Sequence, residues 1–177
     1  MVSFGLKSAK RPRLSQSGAF AAEDEAEHSP PHLTPEEALE SSTREQAAGE
    51  AFAAQGKFSS ALQCWNRAIA LTPERALLHE MKAQALLEVD EVWAAMQCAR
   101  QAVALAPNWP EAHLTLGRAN IELGEPGLAL SNMEEALRLQ PGHTEATAEI
   151  STIRMLVQQQ KQQNPNGGKR LHVVPNT

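Results

Sequence analysis

A spacing of 34 residues governs this chain. Pro73, Pro107 and Pro141 stand at that interval, and each closes a phrase of one form: ALTPE, ALAPN and ALRLQPG. Ala61, Ala95 and Ala129 keep the same interval, as do Ala68, Ala102 and Ala136, and Gly49, Ala83 and Gly117. Phe52, Leu86 and Asn120 are also in register, and Asn120 is the one polar residue among these small or apolar slots. A fixed period of this length means that one supersecondary unit is built several times and stacked, because a single unit cannot bury its apolar face alone.

Composition says what the unit is made of. Of 177 residues, 42% are hydrophobic but only 4% are aromatic, with no Tyr, and Ala and Leu dominate the apolar share. Helices tolerate that mixture and pleated sheets do not, so an all-α fold is expected and an all-β fold is excluded. Charges interrupt every apolar run before the roughly 20 residues a membrane helix needs, so no membrane span is expected. Antiparallel helix pairs are predicted over 34–55 with 58–71, 74–88 with 92–105, and 110–123 with 126–139. Proline ends each second helix because it lacks an amide hydrogen and disfavours helical geometry in the residue before it. Thr34 can cap the first helix, Pro35 suits its first turn, and Glu36 and Glu37 favour its positive end. Pro126 suits the first turn of the last pair's second helix. A stack also leaves an apolar end open. Residues 144–163 are predicted to cover it as a helix, with Ala146, Ile150, Ile153 and Val157 on one side and a glutamine-rich remainder.

These slots resemble the tetratricopeptide repeat (TPR) pattern, W-x2-L-G-x2-Y, then A-x3-F, then P. The third repeat carries Leu116-Gly117, Ala129, Met133, Ala136 and Pro141, and the first carries Gly49, Phe52, Ala61, Trp65, Ala68 and Pro73. The second departs most, with Ala83 for the glycine, Ala99 for the large residue, and Asp90 at the turn where its neighbours hold Gly56 and Gly124. The resemblance implies an α-solenoid of three helix-turn-helix repeats, 42–75, 76–109 and 110–143, inside a folded segment of 34–163 that ends in the capping helix. It implies no enzymatic activity and no cofactor. It places a partner-binding groove along the first helix of each repeat, at Gln46, Glu50, Ala53, Glu80, Gln84, Leu87, Glu111, Leu114, Arg118 and Ile121.

That strip is acidic and aliphatic. The chaperone-binding subset of the family grips a C-terminal carboxylate with Lys and Asn at such positions, whereas Gln46, Glu50 and Gln84 stand here. A basic or amphipathic helical segment of another protein is therefore the expected guest, and an acidic tail of the EEVD kind is not. The alternative use is architectural, as a subunit that presents its convex face or its tails to a larger complex. The groove glutamates could also do no more than solvate a helix face.

Charge is unevenly spread. Residues 1–33 hold four basic and four acidic side chains, residues 34–150 hold eight and seventeen, and residues 151–177 hold four and none. The first segment buries too little apolar surface to offset its chain entropy, and Pro165, Gly167 and Gly168 stop any helix beyond 163. Both 1–33 and 164–177 are expected to be disordered. Lys10, Arg11, Pro12 and Arg13 resemble a short nuclear-import signal, with a generic solvated tail as the competing reading. Residues 1–16 lack the apolar stretch of a secretory signal, so nucleus or cytoplasm is expected. Nucleic acid is not an expected partner, because the acidic repeat region would oppose phosphate. Ser29-Pro30 is a candidate for proline-directed phosphorylation. Oligomeric state is not legible.

Chemistry is sparse elsewhere. Two cysteines without a CxxC pair support neither a disulfide scaffold nor a zinc module. Cys64 and Cys98 are one period apart, as are His79 and His113, and both pairs are read as packing residues rather than as ligands. Trp65 takes the large core slot. Trp93 and Trp109 are expected to pack, with anchoring of a partner as the alternative.

Overall fold

A computed structural model describes residues 33–163 of the chain. Within them are seven helices and no strand: α1 Pro35–Ala53, α2 Phe58–Leu71, α3 Ala76–Glu88, α4 Val92–Leu105, α5 Pro110–Glu122, α6 Pro126–Leu139 and α7 Thr144–Gln163. The expectations for Lys10, Arg11, Pro12, Arg13, Ser29 and residues 164–177 lie outside the described residues.

Helices pair as the period requires: α1 on α2, α3 on α4, α5 on α6. Each pair joins the next through α2 on α3, α4 on α5 and α6 on α7, which makes an all-α solenoid. The start of α1 shows how local chemistry sets an end. The Glu37 amide donates to Thr34 Oγ1 at 3.2 Å, and the Thr34 amide donates back to the Glu37 carboxylate at 2.8 Å. This reciprocal box satisfies two amides that the first turn cannot. It also holds the Glu37 carboxyl below its usual range, through the Thr34 backbone bond first and the hydroxyl second. The first helix stops at Ala53 and the third starts at Ala76, two residues inside the predicted bounds, because turns claim 54–57 and 72–75.

Inside each pair, one slot on the first helix faces one slot on the second. A methyl placed on Gly49 would sit 2.4 Å from Trp65 Nε1, so the indole lies directly on the α1 backbone. At Gly117 the nearest atom is Met133 Cε at 3.0 Å. In the second pair the slot already carries a methyl, Ala83, and its counterpart Ala99 is small; both are fully buried. The facing residue thus shrinks where the backbone slot grows. Trp65 is 3% exposed and anchors the cluster that ties α2 to Leu78 and Ala85 of α3.

The turns inside the pairs share one conformation. Gly56 and Gly124 have φ of 70° and 74°, and Asp90 holds φ of 63° in the same slot. This left-handed geometry is free for glycine and strained for a residue with a side chain.

Two stability outcomes follow from these contacts. Gly49→Ala should lower the unfolding free energy by about 1–3 kcal/mol, the usual range for overpacking a rigid core. Gly117→Ala should cost less, because Met133 can swing away. Asp90→Gly should raise stability by about 0.5–1 kcal/mol through relief of the left-handed strain, net of glycine's entropy. Urea titrations of the three variants check both expectations.

Candidate functional site

The ten groove positions do not form one continuous free strip. Gln46, Glu50 and Ala53 line the last turns of α1, and Gln84 and Leu87 line α3. Glu80 and Leu114 differ from the expectation of a solvent-facing groove, since they are 4% and 3% exposed. Leu114 is buried because α7 lies against it, in one cluster with Met133, Ala146, Ile150 and Ile153. Ile121 packs at the edge of that cluster.

Glu80 is buried between first helices. Thr115 Oγ1 of α5 donates to its carboxylate at 2.8 Å, and Gln84 Nε2 donates from one turn along α3. Burial pushes the Glu80 carboxyl above its ordinary range, against the pull of the Thr115 and Gln84 hydrogen bonds, with a further upward push from Glu111. The folded state therefore holds this proton more tightly than the unfolded chain does. Such a group favours the fold below the ordinary carboxylate range and costs stability as pH rises through its elevated folded pKa.

Arg118 is occupied from within. Its guanidinium meets Glu145 at 2.6 Å and donates through Nε to Glu149 at 3.0 Å, both on α7. Those two acids, Glu149 first, hold the Arg118 pKa above its ordinary value. Glu111 lies 4.0 Å from His143 Nε2. The third repeat's share of the face is thus bridged to the capping helix.

The open share lies between the first and second repeats. A cleft of about 440 Å³ has Ala53, Phe58, Trp65, Met81 and Ala85 as its apolar lining and Glu50, Gln84 and Glu88 as its polar lining. Glu50 accepts a hydrogen bond from Gln46 at 2.8 Å, and neither Glu50 nor Glu88 has an ion-pair partner among the described residues. Gln46 is held in turn by Arg75, which also donates to the fully buried Ser42 at 3.0 Å. Ser42 and Thr72 share a hydroxyl contact. Sequence reasoning missed this polar latch of Ser42, Thr72 and Arg75, because its members occur in the first repeat alone.

Both periodic histidines make one contact. Nε2 of His79 donates to the Pro73 carbonyl at 2.8 Å, and Nε2 of His113 donates to the Pro107 carbonyl at 2.9 Å. They fasten the first turn of α3 and of α5 to the proline that ended the previous helix. Cys64 is buried and Cys98 half-buried; both are free thiols, and burial raises the Cys98 pKa. No group of three metal-ligating side chains is gathered among the described residues, and no helix there is long and apolar enough to cross a membrane.

Trp93 corrects the expectation of packing. It is 64% exposed, because its slot near the start of α4 faces outward in every repeat: Ser59 and Gly127, one period to either side, are exposed too. That signal was present in the spacing. Trp109 is half-buried at the head of α5.

A family model described as "TPR repeat" matches residues 49–89, and one described as "Tetratricopeptide repeat" matches residues 110–143. No curated protein matches the chain. Among solved structures, the second TPR domain of human RPAP3, in complex with the HSP70 peptide SGPTIEEVD, is 30% identical with a TM-score of 0.62. The match covers 68% of this chain and 98% of that one. The first TPR domain of human RPAP3 is 23% identical with a TM-score of 0.68, over 70% and 98% of the two chains. The Sgt2 TPR domain from Aspergillus fumigatus is 18% identical with a TM-score of 0.64, over 81% and 91%.

Glu80→Gln keeps an acceptor for Thr115 while removing the buried charge. It should raise the melting temperature at neutral pH and match the wild type below the ordinary carboxylate range, as thermal melts across that interval would show.

Proposed function

Because the chain belongs to the tetratricopeptide repeat family, we propose that it is a non-catalytic adaptor whose first-helix face receives a basic or amphipathic helical segment of another protein. Repeats of this family are protein-interaction modules, and the fold is a non-enzymatic scaffold. The cleft between the first two repeats carries the proposal. Its apolar floor suits an aliphatic or aromatic side chain, and the carboxylates of Glu50 and Glu88, free of ion pairs within the described residues, suit a neighbouring Lys or Arg. A cationic helix that lays its apolar stripe into the cleft satisfies both at once.

Human RPAP3's second domain was solved with a peptide ending in EEVD. For this chain an acidic tail is the poorer guest. Arg118 is the one cation among the ten groove positions, and Glu145 and Glu149 already neutralise it. A carboxylate arriving there would have to displace two intramolecular partners, and at the open end it would meet Glu50 and Glu88.

Within the family, Ser3-Phe4-Gly5 with Lys7 and the phrases LHEMKAQALLE and LTLGRANIELGE are similar to tetratricopeptide repeat protein 33, a likeness that adds no chemistry. Nuclear entry through Lys10, Arg11, Pro12 and Arg13 belongs to the same proposal, and proximity labelling with Arg11 and Arg13 changed to Ala tests it.

A lysine-rich amphipathic peptide should bind the full chain in fluorescence anisotropy. Glu50→Lys combined with Glu88→Lys should weaken it by about tenfold or more, as expected for reversing two charges at a docking face, without lowering the melting temperature. Micromolar binding of an EEVD-ended peptide that Arg118→Ala abolishes would overturn the reading.

A further inference from the structure

The repeat pattern inverts at one place on the molecule. A cleft of about 540 Å³ opens where α4, α5 and α6 meet, and it shares no lining residue with the cleft of the first two repeats. Two of its lining slots, small in the other repeats, are bulky and apolar here. Trp93 replaces Ser59 and Gly127 and is 64% exposed; Leu128 replaces Ser60 and Ala94 and is 56% exposed. Two slots that are apolar or thiol elsewhere are amides here. Asn120 replaces Phe52 and Leu86, and Asn132 replaces Cys64 and Cys98. All four departures line the same cleft.

Folding alone does not account for them. Asn120 is only 6% exposed and its side-chain amide takes part in no hydrogen bond among the described residues; the atoms enclosed there without a partner are Trp65 Nε1 and His113 Nδ1, so what remains accessible of Asn120 includes its amide, which opens to the cleft. The Phe or Leu of the neighbouring repeats would bury apolar surface in this slot, a gain that the amide gives up. Asn132 spends its Nδ2 on the Leu128 carbonyl at 2.8 Å, and its carbonyl oxygen has no donor among the described residues. The exposed indole of Trp93 incurs the opposite cost, leaving apolar surface in water.

We propose that this cleft is a second docking site and that its occupant is an extended segment of a partner protein bearing a large apolar residue beside an acidic one. Each part of the occupant answers a group in the lining of the cleft. A side-chain amide offers one acceptor and two donors, the complement of a peptide group whose own hydrogen bonds are unmade. Extended backbone has such groups to give, and helical backbone does not. The apolar residue fits between Trp93 and Leu128, with Met96 behind them, and a central Trp beside a dry pocket is a frequent interface anchor. The acid pairs with Arg100, a lining cation with no ion-pair partner among the described residues. Glu125, the remaining lining charge, heads α6 and is offset by that helix's positive end.

The partner need not be identified for the test. A library of random peptides displayed on phage is selected on the full chain, and enriched peptides are synthesised and titrated against four variants. Asn120→Leu, Trp93→Ser and Leu128→Ser each restore what a neighbouring repeat carries, so each should melt at or above the wild-type temperature. Peptides that join a large apolar residue to Asp or Glu should be enriched. Each restoring variant should bind them about tenfold or more weakly, as befits loss of a central anchor. Arg100→Glu should shift selection toward basic peptides. Acidic-apolar binders indifferent to Asn120→Leu, an absence of such binders, or enrichment of basic peptides that still bind Glu50→Lys with Glu88→Lys would overturn the proposal. So would self-association abolished by Trp93→Ser, which would assign the cleft to a second copy of the chain. Glu50→Lys with Glu88→Lys should leave these peptides bound, so this site and the first stand or fall separately.

Discussion

Everything in this fold depends on how closely the first helix of each pair can approach the second. A helix whose contact slot carries no side chain lets an indole rest on its backbone, as Trp65 does on Gly49. The three pairs meet that condition differently. Glycine faces tryptophan, alanine faces alanine, and glycine faces methionine, so no slot pair is repeated although all six residues lie within the folded interior. Dense interiors accept a change at one slot when the facing slot changes in the opposite sense, as Ala99 does beside Ala83. A period of 34 residues survives for that reason where sequence identity between repeats does not.

With pair spacing set, the remaining polar groups decide which surfaces stay open. Glu80 and Thr115 bridge α3 to α5, while Arg118 holds α7 through Glu145 and Glu149. These contacts close the third repeat's part of the first-helix face. They leave the cleft between the first and second repeats, where Glu50 and Glu88 have no ion-pair partner among the described residues. The same charge count gives two different surfaces, because a carboxylate within reach of Arg118 is spent and one at Glu50 or Glu88 is not. Net charge could not distinguish them.

Helix pairing, the turns and the terminal helix were legible in the sequence because they follow from spacing: proline every 34 residues, glycine or aspartate at the left-handed turn, small residues where helices touch. What spacing could not supply was depth. Gln46, Glu80 and Leu114 share one slot of the repeat, yet Gln46 is half-buried while neighbouring helices bury the other two. A groove position carried over by register says which side of a helix a residue occupies. Whether that side is free depends on the next helix along, and for Leu114 that is α7, which lies outside the repeats. The Ser42, Thr72 and Arg75 latch escaped for a related reason, since a contact made once leaves no periodic trace.

A repeat protein also carries its own controls. Three copies of one unit show what stacking demands at each slot, so a residue that departs from its counterparts answers to something other than stacking. Most departures here are compensated nearby, as Ala83 is by Ala99. Asn120 is not: among the described residues no hydrogen bond is made in exchange for the apolar contact given up, while Trp93 and Leu128 bring apolar bulk to slots that are small in the other repeats. Uncompensated departures scattered over a surface would mean drift. Gathered in one cleft, with a side-chain amide at its base and a lining cation that has no ion-pair partner among the described residues, they have the composition of a binding site that the solenoid supports but does not need in order to stand.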